Sequence, residues 1–157
     1  MKIILLAVGK IDEKMFSDTV DLYAKRLNHY IAFETETIPD IKNSRNLSQD
    51  EQKHAEGLTI LKKLQASDYL VLLDDKGAQY SSTEFAFFIE KKTHATPKRL
   101  VFAVGGPYGF SDEVLARANE KLSLSKMTFT HQMVRVIFAE QLYRAMTILN
   151  HEPYHHE

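Results

Sequence analysis

Three loops hold residues whose types and spacing suit a small-molecule site: Leu73-Asp74-Asp75-Lys76-Gly77, Gly105-Gly-Pro-Tyr-Gly109 and Ser123-Leu-Ser-Lys-Met127. Glycines in the second loop permit backbone conformations, and a closeness to a ligand, that side chains would block. Gly106 directly follows Gly105, so the loop is not the G-x-G-x-x-G fingerprint of dinucleotide binding. A tight strand-to-helix turn would account for the same glycines. Ala7-Val-Gly-Lys10 lacks the upstream glycine and downstream hydroxyl of a P-loop. His151-Glu-Pro-Tyr-His155 spells H-E-x-x-H. That spacing binds zinc only when both histidines share one face of a continuous helix, and Pro153 removes an amide donor and disfavours the helical conformation at Glu152. No metal site is expected there.

The elements that must position these loops alternate along the chain. Ile3–Val8 is a continuous apolar run closed by Gly9, the pattern of a strand buried on both faces. Asp12 is placed to cap a helix in which Phe16, Val20, Tyr23 and Leu27 draw one apolar face. Phe33–Ile38 suits a short strand with one solvated face, stopped at Pro39, and 39–47 reads as loop. Ser48 with Glu51 forms a capping box opening a helix to about Gln65, with Leu58, Leu61 and Leu64 expected inside. Tyr69–Leu73 and Leu100–Val104 are further buried strands, and Leu122–Leu124 a last short one. Ser81 with Glu84 caps a helix bearing Phe85, Phe88 and Ile89, and Ser111 or Asp112 starts a short one to Ala118. A final helix runs from about His131 to Asn150, with Met133, Val134, Ile137, Phe138, Leu142, Ala145 and Leu149 inward. Strand and helix in alternation predict an α/β fold with a mostly parallel sheet flanked by helices, in one domain spanning 1–157. In such sheets ligands sit beyond the carboxyl ends of the strands, which is where the three loops fall.

Composition limits the function classes. The chain of 157 residues has no Cys, which excludes disulfides and thiolate zinc sites. The first apolar run is too short to span a membrane and carries no signal-peptide pattern, so a soluble cytoplasmic protein without membrane contact is expected. A formal net charge of -1 offers no global attraction to phosphates. Its distribution is uneven: within 117–146 lie Arg117, Lys121, Lys126, Arg135 and Arg144 against only Glu120 and Glu140. That is either a basic face or an ordinary mixed-charge surface.

Residues 122–135 read LSLSKMTFTHQMVR, continue as VIFAEQLYRAM and end in HEPYHHE. Together with VGGPYGF at 104–110 and the opening MKIILLAVGK, they resemble the RlmH family of SPOUT-class methyltransferases of the large ribosomal subunit, over essentially the whole chain. Thr130 departs from that pattern, which would have Pro before the HQM segment. The resemblance implies a SPOUT fold with a C-terminal trefoil knot, an exception to the rule that chains do not thread loops. It also implies a homodimer that uses S-adenosylmethionine to methylate N3 of a pseudouridine in 23S rRNA of the ribosome. The residues carried over as lining the cofactor pocket are Leu73, Gly105, Leu124, Ser125, Lys126, Met127, Thr128 and Phe129.

Methyl transfer to N3 needs a nucleophile in line with the methyl group and a way to remove the N3 proton. His155 and Tyr154 in the tail, and His131 at the start of the final helix, are candidates for contacting or deprotonating the base, and nothing in the sequence decides among them. Arg135 is close in sequence to the cofactor segment and is a candidate for binding phosphate or substrate. Arg144 lies nine positions on, half a helix turn out of line with Arg135, so the two are not expected to form one clamp. Arg144 is spaced to pair with Glu140. The final helix is apolar on more than one face, Val136 and Ala139 included, which predicts a subunit interface along it. The competing readings are a non-catalytic RNA- or ribosome-binding protein retaining the fold, and a flavodoxin-like nucleotide binder.

Overall fold

The computed structural model describes residues 1–95 and 98–156. Five strands and five α-helices follow one another: β1 (Lys2–Val8), α1 (Lys14–Leu27), β2 (Ala32–Ile38), α2 (Gln49–Lys63), β3 (Tyr69–Gln79), α3 (Ser82–Ala95), β4 (Arg99–Val104), α4 (Asp112–Arg117), β5 (Glu120–Ser123) and α5 (His131–Leu149). The strands form one sheet in the order β2-β1-β4-β3-β5, and every pairing is parallel. This is the expected α/β architecture.

Strand periodicity divides the core into two layers. Ile3, Leu5 and Ala7 of β1 and Leu100, Phe102 and Val104 of β4 point into one, with Phe85 and Phe88 of α3 and Phe138, Leu142 and Ala145 of α5. Ile4, Leu6 and Val8, with Val101 and Ala103, point into the other, against Ile60 of α2 and Val114 of α4. Both faces of the central strands are therefore apolar, which is why their sequences run hydrophobic without alternation. β2 lies at an edge, and in place of one solvated face it buries Phe33 in one layer and Ile38 in the other, while Glu34, Thr35 and Thr37 between them are exposed on both faces.

The two expected capping boxes form. Ser48 Oγ accepts from the Glu51 amide at 3.1 Å while the Glu51 carboxylate accepts from the Ser48 amide at 2.7 Å. Ser81 and Glu84 do the same at 3.2 and 2.7 Å. Other expectations are corrected. Asp12 does not cap α1. The N-cap is Glu13, which makes no side-chain cap, and the orphan amides of Asp12 and Glu13 donate instead to Gln132 Oε1 at 3.1 and 3.4 Å. Leu58 faces solvent, and α2 buries Glu56, Gly57 and Ile60 instead. Leu61 and Leu64 do pack on the core as expected. The 39–47 loop holds a 3-10 turn at Ser44–Asn46. β3 runs six residues past Leu73 because its pairing with β5 resumes after a bulge: Leu73 and Ala78 both lie opposite Leu122. The looped-out 74–77 segment is possible because Gly77 sits directly against the Leu122 backbone, where a Cβ would overlap it.

Gly57 shows how closely α2 is fitted to α4. A Cβ there would lie 2.9 Å from Ser111 Cβ and 3.3 Å from Val114 Cγ2. Alanine in a helix interior normally gains about 0.5–1 kcal/mol over glycine, whereas overpacking costs about 1–3 kcal/mol. Gly57→Ala is therefore expected to lower stability by roughly 1–2 kcal/mol, read as a reduced urea midpoint at unchanged slope.

Candidate active site

The chain leaves β4 toward the α2/α4 layer but leaves β3 and β5 toward the layer of α3 and α5. Neighbouring strands whose connections diverge open a crevice at their carboxyl ends. A cleft of about 1000 Å³ lies there. It is walled by the bulge of β3, the glycine turn after β4, the 123–130 segment after β5 and the first turn of α5.

Each wall has a local cause. In the bulge, the Lys76 amide donates to Asp74 Oδ1 at 2.9 Å, an Asx turn that closes the loop on itself. In the glycine turn, the Gly109 amide donates to the Gly106 carbonyl at 3.2 Å and Gly109 takes φ 83°. A Cβ at Gly105 would approach the Gly109 carbonyl oxygen to 3.2 Å, so the turn closes tightly only on glycine. After β5, Ser123 Oγ donates to the Ser125 carbonyl at 2.9 Å, and Ser125 Oγ accepts from the Met127 amide at 2.9 Å. Thr130 then caps α5 by accepting from the Met133 amide at 3.2 Å. Proline at that position would offer no such oxygen, so the departure at Thr130 supplies a cap.

Of the residues expected to line a cofactor pocket, Leu73, Gly105, Leu124, Ser125, Met127, Thr128 and Phe129 all line this cleft, and Lys126 does not. Met127 is 76% exposed, so it forms an open flap of the cleft rather than a buried wall. Sequence reasoning missed Phe16 and Lys53, which reach the cleft from α1 and α2, and Gln132 and Val134 of α5. Only tertiary packing brings those four there. The charged residues at its rim are of both signs: Asp74, Asp75 and Asp112 with Lys53, Lys76 and Lys121.

The four expected catalytic side chains do not assemble in one chain. His131 lines the cleft. Arg135, one turn later, is 3% exposed and lies outside the cleft wall, lining instead a smaller pocket beside β1, β2 and α1. Its Nη2 donates to the carbonyls of Val8 and Gly9 at 2.8 and 2.7 Å, tying α5 to the end of β1. Burial lowers its pKa, opposed by the carboxylates of Asp40 and Asp12. In this arrangement its Nη2 is taken up by backbone.

Tyr154 and His155 belong to a second cluster, at the far end of α5. Arg144 pairs with Glu140 at 2.6 Å, as the spacing predicts, and its guanidinium lies over the Tyr154 ring at 4.8 Å. Tyr154 donates to Glu140 Oε1 at 3.0 Å. Burial, with Tyr23 and Glu140 nearby, pushes the Tyr154 phenol well above its ordinary range, so it keeps its proton and acts as a donor. Arg144 Nη1 lies 3.2 Å from His155 Nδ1. Arginine can only donate, so Nδ1 accepts and a neutral His155 carries its proton on Nε2. The tail itself is docked by a Schellman turn. His151 adopts φ 56°, the His151 amide donates to Ile148 and the Glu152 amide donates to Thr147. Tyr30 anchors it further by donating to Glu152 Oε2 at 2.7 Å. His151 thus ends the helix, and the H-E-x-x-H string does not lie on one.

Comparison with known proteins agrees with the fold and the segment order. The family model described as predicted SPOUT methyltransferase matches residues 1–155. A Parabacteroides distasonis protein named ribosomal RNA large subunit methyltransferase H is 62% identical over 157 residues, all of both chains. Proteins of the same name from Porphyromonas gingivalis and Bacteroides thetaiotaomicron are 54% and 53% identical, again over the full length of both chains.

Replacing Arg135 by Met keeps its apolar stem but strands two buried carbonyls. At about 1–3 kcal/mol for each unsatisfied group, Arg135→Met is expected to lower stability by roughly 2–4 kcal/mol in urea unfolding. The exposed Arg45→Met should change it by no more than about 0.5 kcal/mol.

Proposed function

The chain belongs to the SPOUT methyltransferase family, and from that membership we propose that it methylates ribosomal RNA with S-adenosylmethionine, on N3 of a pseudouridine in 23S rRNA. The observation that carries this reading is the cleft at the carboxyl ends of β3, β4 and β5, in which nearly all of the expected cofactor residues converge.

The cleft suits the cofactor. Its volume of about 1000 Å³ is at the upper end for small-molecule sites, roughly 300–1,000 Å³. Leu73, Val104, Leu115, Leu124 and Val134 offer apolar surface for an adenine ring, and the bare backbone of Gly105 and Gly106 allows close approach. Asp74, Asp75 and Asp112 provide negative charge for a sulfonium and an ammonium, and the three lysines can meet a carboxylate. S-adenosylmethionine, when bound, supplies the electrophilic methyl group. The chain's own work is to hold the base in line and to take the N3 proton.

Of the proton-acceptor candidates, His131 is at the cleft. Its start of α5 lies 13 positions from Arg144, about 20 Å along a helix at 1.5 Å per residue. The tail cluster is therefore too far to serve the same cleft from within one chain. A homodimer paired along α5 would bring the tail of one protomer over the cleft of its partner, and the half-buried Val136 and Ile137 support such pairing, whereas Ala139, expected on that face, is fully buried within the chain. In that assembly His155 becomes a base only after leaving Arg144, which holds its Nδ1 lone pair. The trefoil knot fits the path by which the chain runs out to β5 at the sheet edge and returns with α5 packed between α1 and α3.

Calorimetry should detect S-adenosylmethionine binding, and Gly105→Leu, which must displace the Gly109 carbonyl, should weaken it about 100-fold or more, some 2.7 kcal/mol. Labelled methyl groups should pass to ribosomes from a strain lacking the gene. Binding without transfer to any ribosomal particle would instead support the non-catalytic reading. Light scattering at micromolar concentration should give twice the chain mass, and a monomer would overturn the dimer.

A further inference from the structure

Among the buried polar groups, one carboxyl lies behind the cleft and takes no part in the chemistry above. Glu56 of α2 is 3% exposed. Its Oε1 accepts from Gln52 Nε2 at 3.0 Å, while Oε2 is buried with no hydrogen-bond partner. Leaving a buried oxygen unpaired costs about 1–3 kcal/mol, more if it is charged, so such a group calls for a reason. The carboxyl is pressed against Gly106: a Cβ on that glycine would overlap both of its oxygens. Gly106 is the second residue of the turn whose other face lines the cleft, and Glu56 itself does not line it. The next residue, Gly57, is packed just as tightly on Ser111, the N-cap of α4. α2 thus holds the turn from behind at its centre and at its exit.

We propose that Glu56 is a positioning residue for cofactor binding, whose free carboxyl oxygen takes up a peptide group of the Gly105–Gly109 turn and sets the shape that turn presents to the cofactor. The surroundings favour the protonated form. Burial raises the carboxyl's pKa, the Asp40 carboxylate adds to the rise, and the hydrogen bond from Gln52 opposes it only in part. Among the described residues no cation is paired with it. A neutral acid has both an acceptor and a donor, so it can engage either an amide or a carbonyl of the turn. This inference rests on the cleft being the S-adenosylmethionine site.

The test compares wild type with Glu56→Gln, Glu56→Leu and Glu56→Ala. Each would be assayed for S-adenosylmethionine affinity by calorimetry, for KM and kcat in methyl transfer to ribosomes, and for thermal stability. Glutamine keeps the shape and a donor-acceptor pair without charge, and should retain affinity within about 3-fold. Leucine fills the volume without polarity, and should raise Kd and KM about 10-fold, the equivalent of one buried hydrogen bond of about 1.4 kcal/mol, with kcat at saturation little changed. Alanine should do the same with a lower melting temperature. A leucine variant that binds as wild type does would overturn the proposal, because packing alone would then suffice. A glutamine variant as impaired as alanine would overturn it as well, because the ionised carboxylate would be what is needed. Wild type that fails to bind S-adenosylmethionine would instead overturn the reading of the cleft.

Discussion

The first turn of α5 is held to the opposite end of the chain by two side chains, and the cleft depends on that attachment. Arg135 donates to the last carbonyls of β1, and Gln132 accepts the free amides that open α1. These links add to the core packing of α5 in fixing its first turn, which carries His131, Gln132 and Val134 into the cleft, relative to the sheet. A buried guanidinium is costly to desolvate, and here it is matched to two carbonyls that a strand end leaves without ladder partners. The arrangement converts an expensive group into a local weld between residues more than 120 positions apart.

That weld gives α5 two different ends. Its N-terminal turn belongs to the cleft, and its last turns belong to the Glu140–Arg144–Tyr154–His155 cluster. Both ends carry residues suited to proton transfer or base recognition. In a single chain they are separated by most of the helix length. The tail is also not a loose strand waiting for a ligand, since a Schellman turn, Tyr30 and the Tyr143–Tyr154 edge contact all fix it.

Much of this was legible from local sequence, and the exceptions have a common physical cause. Ser48 with Glu51, and Ser81 with Glu84, were readable because a capping box is closed by residues three apart. The apolar strands and the glycine turn are equally local. Asp12 misled because the amides just before α1 are met by Gln132, and no pattern within α1 points to a partner 120 residues away. Leu58 misled because α2 turns a glycine and a carboxyl toward the core, where close approach to Ser111 and Gly106 outranks hydrophobicity. The contacts of Arg135 were hidden for the same reason, since nothing near it in sequence points to the carbonyls of Val8 and Gly9. The expected cofactor positions came from the family resemblance, and the cleft gathers all but Lys126 of them.

The sheet order has a bearing on how the chain comes into being. β1 sits between β2 and β4, yet β4 lies nearly 100 residues downstream. During synthesis the apolar β1 therefore has only an edge strand beside it until most of the protein has emerged, and the helix that seals one of its faces comes last of all. Non-local parallel pairing of this kind is slow and leaves sticky surface in transit. The two core layers that hold β1 are thus complete only when β4 has paired with it and α5 has packed on one of them.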